Sequence, residues 1–330
     1  MQTTEDNQPN QGGVTRRGLI NAAGGVILAG GLSASPSGNA APTAGSPAGA
    51  LRRFEGRVAL VTGAARGQGR AHAVRLAREG ASVVLCDILE QIPTIGYPLA
   101  TEPDMDEAVR LVKQEGARCL AVKADVRDPK AAVDVVDRTQ KTFGRLDILL
   151  ANAGVLAMAP FAEIDDQAFD DILKTNLFGA FYFMRASLPV MEAQGYGRIV
   201  ATCSQAGRMG FNHGAHYAAS KWGLIGLVKS AAAEVARKGI TVNAVCPTSV
   251  NTPMINNPEA WRQALPNDPA PTQAAFEAKM KEHPGLPQGV PWIEPNDVSD
   301  TVLFLASDQA QHITGSVVDV QAGAAANNVA

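Results

Sequence analysis

Arg57-Val58-Ala59-Leu60-Val61-Thr62-Gly63-Ala64-Ala65-Arg66-Gly67-Gln68-Gly69 is the stretch on which the rest of the chain turns. Arg57 to Thr62 is a short β-rich run. Gly67 to Arg78 has helical character and stops before Gly80. Gly63, Gly67 and Gly69 stand between strand and helix. Glycine there lets the backbone turn tightly and approach a pyrophosphate, and the helix N-terminus offers it free N–H groups and a positive dipole end. Outside such a frame the same glycine spacing is more often an ordinary loop. The next apolar strand, Ser82 to Cys86, ends in Asp87. A carboxylate at that point accepts hydrogen bonds from a ribose 2′-OH and repels a 2′-phosphate, which selects NAD over NADP. Arg66 pulls the other way, because a base in the glycine turn can meet a phosphate. Asp87 decides, since a phosphate would face a like charge.

Downstream the pattern repeats. Cys119 to Ala124 is an apolar strand ending in Asp125-Val126, and Leu146 to Leu150 is followed by Asn152-Ala153-Gly154. Arg198 to Cys203 runs into Ser204, and Ile240 to Val245 into Cys246-Pro247-Thr248. Helical segments separate these strands: about Asp104 to Glu115, a long region from Phe161 to Gln194, Ala218 to Val235, and Asn296 to Ser307. Strands alternating with helices predict a parallel sheet covered on both faces. Ile313 to Gly323 closes the series as a last strand and turn.

One pair carries chemistry. Tyr217 and Lys221 stand four residues apart at the start of a helix and therefore share a face. A phenol with a reference pKa of about 10 exchanges protons poorly near neutrality. A neighbouring ammonium favours the phenolate and is expected to lower that value toward the range of a general acid–base catalyst. Alone, this spacing usually marks a solvated helix face. Ser204, the glycine turn, Asn152-Ala153-Gly154 and Thr175-Asn176 give it company.

Together these motifs resemble the short-chain dehydrogenase/reductase family, in order, over roughly residues 54 to 323. The resemblance implies a single doubly wound Rossmann domain, α/β, with a mostly parallel seven-stranded sheet. It implies a catalytic tetrad of Asn176, Ser204, Tyr217 and Lys221. Tyr217 exchanges the hydroxyl proton, Lys221 tunes it and holds the ribose, Ser204 orients the substrate oxygen, and Asn176 steadies a proton-relaying water. Cofactor contacts carried over are Gly63, Arg66, Gly67, Gln68, Gly69, Asp87, Ile88, Asp125, Val126, Asn152, Ala153, Gly154, Tyr217, Lys221, Pro247, Thr248, Val250 and Thr252. The family commonly has glycine where Thr248 stands. The implied reaction is hydride transfer between NAD and a secondary alcohol or ketone. Relatives are mostly homotetramers joined through the helices that carry Asn176 and Tyr217.

After Asp87 the spacing departs from the family. Ile88 to Gly116 is longer than usual by roughly a dozen residues and contains Gln91-Ile92-Pro93-Thr94-Ile95-Gly96-Tyr97-Pro98. That insertion, about 88–103, resembles the mycofactocin-associated, carveol-dehydrogenase-like subgroup, as do residues 63–70 and Asn251-Thr252-Pro253-Met254-Ile255. The subgroup implies an insertion that covers NAD and a mycofactocin electron carrier as partner. Residues of about 251–295, rich in Pro and holding Trp261, Phe276, Met280 and Trp292, read as a substrate lid. Their aromatics suggest a small apolar substrate, or else simply pin the loop to the body.

Composition narrows the field. The chain has 330 residues, 46% apolar and 18% charged, with a net charge of −3. A core of useful size is available, and nucleic acid is not expected as a partner. Cys86, Cys119, Cys203 and Cys246 show no metal spacing, so they read as free thiols and no metal is expected. His213 and His216 read as pocket-rim or surface residues. The first fifty residues differ from the rest. Arg16-Arg17-Gly18-Leu19, a weakly apolar run to Leu32 and a Ser/Pro/Ala/Gly-rich stretch to Ala50 outline a twin-arginine export signal and linker, which predicts export, with residues 51–330 as the catalytic domain. If that segment is instead an extension with a chance dibasic pair, the chain is expected in the cytoplasm. Two other functions fit less well: a 3-oxoacyl-carrier-protein ketoreductase, which usually prefers NADP and needs a basic docking patch, and a non-catalytic NAD-binding sensor, which would not need the tetrad.

Overall fold

In the computed structural model, strand β1 (Val58–Thr62) is buried along its whole length, which explains why its sequence is apolar without alternation. The structure describes residues 52–282 and 290–324. The expected export signal and linker, the middle of the lid and most of the tail lie outside the described residues. The chain divides at Ala48, and the description below concerns the unit Gly49–Ala330.

Around β1 the other strands are β2 (Ser82–Asp87), β3 (Cys119–Lys123), β4 (Ile148–Ala151), β5 (Gly197–Thr202), β6 (Ile240–Pro247) and β7 (Val317–Val320). They form one seven-stranded sheet in the order β3-β2-β1-β4-β5-β6-β7, with every pairing parallel. The chain proceeds outward from β1 in one direction and from β4 in the other. The sheet therefore reverses order between β1 and β4, where open α/β sheets bind ligands beyond the strand C-termini.

Helices α1 (Gly67–Arg78), α2 (Glu102–Gln114) and α9 (Pro295–Ala306) cover one face. Their Leu76, Ala73, Val112, Val298 and Val302 join Val61 and Leu85 in one buried cluster. On the other face lie α3 (Pro129–Phe143), α5 (Gly179–Gln194) and α6 (Ala215–Val235), contributing Val135, Phe183, Leu224 and Val228 to a second cluster with Leu60 and Ile199. Local signals explain several boundaries. Thr101 and Asp104 form a reciprocal capping box at α2, and Asp128 caps α3 through the Lys130 N–H.

Two elements differ from the sequence reading. The expected helix from Phe161 to Gln194 is broken. A 3₁₀ turn (Phe161–Glu163) is followed by α4 (Asp166–Leu173), started afresh by the Asp165 cap, then by a π turn (Lys174–Phe178) before α5. Helix α6 starts at Ala215 rather than Ala218, so Tyr217 lies inside its first turn. The lid holds two short helices, α7 (Pro258–Ala264) and α8 (Gln273–Lys281). Phe276 and Trp292 are buried against each other with ring centroids 6.2 Å apart, and Val250 pairs with Ile293, closing the described ends of the lid together. Those two aromatics pin the segment, as the plainer of the two expectations had it.

Candidate active site

The glycine turn after β1 is a backbone cradle. Gly63 and Gly67 adopt φ of +65° and +57°, a region that disfavours side chains. A Cβ on Gly69 would sit 2.0 Å from the Gly63 carbonyl oxygen, so no other residue fits there. Arg66, the cap of α1, is extended and offers no side-chain cap, leaving the first helical N–H groups without a capping partner. Buried Gln68 Oε1 has no hydrogen-bond partner in the same cavity.

Asn152 holds this cradle to the sheet. Its Nδ2 donates to the carbonyls of Thr62 (3.0 Å) and Gly63 (3.3 Å), and its Oδ1 accepts from the Thr202 hydroxyl (3.1 Å). Thr62 Oγ1 in turn accepts from the Asn152 and Ala153 N–H groups. The tips of β1, β4 and β5 are thereby tied through one amide.

A cavity lies beyond these tips. Gly63, Arg66, Gly67, Gln68 and Gly69 line its first side, and Asp87, Ile88, Asp125 and Val126 follow from β2 and β3. Asn152, Ala153, Gly154 and Thr252 line it as well. Asp87 is buried, accepts from the Ala65 N–H at 3.0 Å, and has its pKa raised by that burial, with the Ala65 bond working against the rise. A carboxylate at the rim, uncapped N–H groups and glycines without room for side chains suit a dinucleotide carrying a free ribose diol. Tyr217, Lys221, Pro247, Thr248 and Val250, also expected at the cofactor, are outside this lining. Val250 packs into the core, and Thr248 donates to Gln205 Oε1 at 3.1 Å.

The tetrad assembles at the far end. The Ser204 hydroxyl neighbours the Tyr217 phenol closely enough to favour its ionised form. Ser204 Oγ also accepts from the Ala206 N–H at 3.2 Å, which fixes its rotamer. Lys221 Nζ donates to the Thr202 carbonyl at 2.9 Å and lies 5.6 Å from the centre of the Tyr217 ring. Asn176, in the π turn, makes a two-way bond with Val155: its Oδ1 accepts at 2.8 Å and its Nδ2 donates at 3.0 Å. Nδ2 also reaches Ser220 Oγ at 3.1 Å. Gly154 is the meeting point, since a Cβ there would stand 3.2 Å from Asn176 Oδ1 and 3.5 Å from Lys221 Nζ. The unfavourable mid-helix Asn is thus accommodated by a local change of helix type.

The electrostatics correct one expectation. Burial raises the Tyr217 pKa above that of a free phenol, and the neighbouring Ser204 hydroxyl only opposes it. The ammonium does not produce the expected lowering: Lys221 is itself buried, its own pKa is lowered by that burial, and its Nζ bonds the Thr202 carbonyl. His216 is a second correction. It is 1% exposed and stacks on Phe169 at 6.5 Å, so it belongs to the packing under the site rather than to its rim. Arg66 donates to the Pro98 carbonyl, which engages it with the insertion. Cys86, Cys203 and Cys246 are buried free thiols and Cys119 is half-buried. Among the described residues no cluster of metal-ligating side chains occurs.

Residues missed by sequence reasoning come chiefly from the insertion. Ile92, Tyr97, Leu99 and Ala100 line the cavity, with Val155, Thr175 and Met254 from elsewhere. No periodicity marks which of them turn inward. Gln91 arranges them: its Nε2 donates to the carbonyls of Ile92, Ile95 and Tyr97, and its Oε1 accepts from the Leu99 N–H.

Comparison with known proteins agrees with this geometry. Residues 57–263 match the short chain dehydrogenase family. A (-)-trans-carveol dehydrogenase of Rhodococcus erythropolis is 42% identical over 276 residues, spanning 83% of this chain and 99% of that protein. The crystal structure of a carveol dehydrogenase from Mycobacterium avium in complex with NAD superposes with a TM-score of 0.80 at 39% identity, over 82% of this chain and 98% of that one. A levodione reductase structure gives a TM-score of 0.73 at 32% identity, over 83% and 99%. With the glycine cradle, the Asn152 tie and the Tyr217–Lys221 helix in place, this chain belongs to the short chain dehydrogenase family.

Proposed function

We propose that the protein is an NAD-dependent oxidoreductase of the carveol-dehydrogenase type, interconverting a small apolar secondary alcohol and its ketone. The observation that carries this reading is that Lys221 and Asn176 close on Gly154, which lines the cleft that the glycine turn and Asp87 also border, while Ser204 and Lys221 neighbour Tyr217. NAD, when bound, accepts or gives the hydride. Ser204, its rotamer fixed by Ala206, holds the substrate oxygen. Tyr217 takes or returns the hydroxyl proton. Lys221 supplies fixed positive charge beside it, and Asn176 keeps the strand-end backbone and α6 in register through Val155 and Ser220. The apolar surroundings of Tyr217, with Phe211 at 5.9 Å between ring centroids and Leu156, Ala157 and Met254 nearby, favour a hydrocarbon-rich substrate.

The same proposal extends to the cofactor's lifetime. The 88–101 segment is tied to the glycine turn by the Arg66 bond to Pro98 and to α4 by Thr94 donating to Asp171 at 2.9 Å. These ties support an NAD that stays bound between turnovers and is re-oxidised by an external carrier such as mycofactocin. Exposed Phe178, Phe181 and Trp222 on α5, its π turn and α6 support a homotetramer. The Arg16-Arg17 pair supports export by the twin-arginine route with residues 51–330 as the catalytic unit. The test is absorbance of reduced nicotinamide after a panel of cyclic secondary alcohols is added to purified protein with excess NAD. One equivalent of NADH per chain, renewed only by an artificial electron acceptor, is the expected result. Many turnovers would remove the carrier while leaving the dehydrogenase. No NADH with any alcohol, from protein that releases NAD on denaturation, would favour a sensor.

A further inference from the structure

The insertion does more than border the cofactor cleft. Ile92, Ile95 and Tyr97 turn inward and are buried in one apolar cluster with Val155, Ala206 and the catalytic Tyr217. This cluster is separate from the two that flank the sheet. Tyr97 bridges two environments: it borders the cofactor cavity, and it packs in the same buried cluster as Tyr217. Its Oη accepts from the Leu156 N–H at 3.2 Å, and among the described residues no acceptor takes its own proton. Burial pushes the Tyr97 pKa up to about 12, so the phenol stays a neutral donor at working pH.

The backbone around Tyr97 is held from several sides. Gln91 bonds the Tyr97 carbonyl (3.3 Å), Arg66 bonds that of Pro98, and Thr94 anchors to Asp171. Asp171 is itself gripped by Arg127 at 2.6 Å. A ring so braced cannot easily swing aside for a larger ligand. Phe211, whose ring centre lies 5.9 Å from that of Tyr217, and Leu156, Ala157 and Met254 pack against the same cluster.

We propose that Tyr97 is a specificity-determining residue: the insertion forms one wall of the substrate pocket, and the Tyr97 ring sets the size of alcohol that can reach Tyr217. The substrate class is then compact monocyclic secondary alcohols, with fused-ring alcohols excluded. The inference rests on the dehydrogenase reading above. The Tyr97 hydroxyl, bonded to Leu156, positions the ring and leaves the selection to its bulk.

The experiment compares kcat/KM for cyclohexanol and for decahydro-2-naphthol in the full-length protein and in Tyr97→Ala and Tyr97→Phe, with an artificial electron acceptor present throughout. Tyr97→Ala should raise the fused-ring to single-ring ratio by about tenfold or more, the scale of discrimination that pocket bulk supplies. Tyr97→Phe keeps the ring and should leave the ratio within about threefold. NAD affinity, read by quenching of protein fluorescence, should move much less than the ratio does in Tyr97→Ala. If Tyr97→Ala does not fold, Tyr97→Leu makes the same comparison with the apolar core better filled. A ratio unchanged in the folded variant, or a loss confined to NAD affinity, overturns the proposal. Wild-type protein inactive on both alcohols and on the wider panel would overturn the dehydrogenase reading instead, so the two failures are distinct.

Discussion

The two ends of the sheet are built on opposite electrostatic rules. At the N-terminal end, below β1, β4 and β5, buried charges are paired. Asp147 is fully buried, takes two guanidinium groups, from Arg57 (3.2 Å) and Arg145 (2.6 Å), and accepts from the Val58 N–H at 2.9 Å. Beside it Tyr196 lies between Arg57 and Arg198, whose guanidinium carbons stand 3.7 and 4.2 Å from its ring centre, and its hydroxyl donates to Asp308 at 2.9 Å. At the C-terminal end polar groups are buried with partners left open: uncapped α1 N–H groups, Gln68 Oε1, the Tyr97 proton, and a Tyr217 phenol made reluctant to ionise. Paired buried charge fixes strand ends in place. Unpaired buried polarity is costly unless a ligand completes it. One end holds the fold and the other awaits a ligand.

This contrast can be broken by mutation. Tyr217→Phe should lower turnover by about a thousandfold or more, within the range of lost general acid–base catalysis. Its urea midpoint should stay near wild type, since the ring is kept. Near-normal turnover would end the mechanistic reading. Asp147→Ala should do the reverse. Leaving two guanidinium groups without their buried partner costs about 3–5 kcal/mol of unfolding free energy, measured by urea titration, with kcat per folded molecule unchanged. If activity falls as steeply as stability, the two ends are not independent.

A third test lies between them. His72 on α1 is fully buried against Ser299 of α9, with Nδ1 to Oγ at 2.8 Å. Ser299 gives its proton to the Pro295 carbonyl at 3.0 Å, so His72 donates through Nδ1 and its Nε2 is bare and without a partner. Burial lowers its pKa to about 3. The unfolded chain titrates near the ordinary value of about 6.5, so it binds the proton that the fold refuses. Stability is therefore lost as pH falls below the unfolded value and continues to fall toward the folded one. By pH 5 the loss from this group is about 2 kcal/mol. His72→Gln should flatten that part of the stability–pH curve, and an unchanged slope would assign it to other groups. The smallest effect is expected at Asp87. Asp87→Ala should shift selectivity from NAD toward NADP by about tenfold in kcat/KM, and no shift would hand the choice to Arg66 or the insertion.

Much of this end-to-end division was legible in the sequence. The strand of five buried residues before Gly63, the carboxylate closing β2 and the Tyr217–Lys221 spacing each have one local physical cause, and each stands where it was expected. What escaped was set by tertiary context. A single helical period ran through residues 161–194, yet the Asp165 cap and the contacts of Asn176 with Val155 and Ser220 accompany a break in it. The insertion has no repeat to show its inward face, because Gln91 folds it by bonds to backbone. Spacing placed an ammonium near a phenol, but only the fold reveals that burial outweighs it and that Lys221 is already engaged by Thr202.

The Asn152 amide, holding three strand tips at once, has a mechanical consequence. Parallel strands tied at their ends cannot spread, so the floor of the cleft is inextensible. Any widening must be made overhead, by the segment from Ile88 to Thr101, and the Arg66–Pro98 and Thr94–Asp171 bonds are its latches. The cleft is built as a box with a fixed base and a cover fastened at two points.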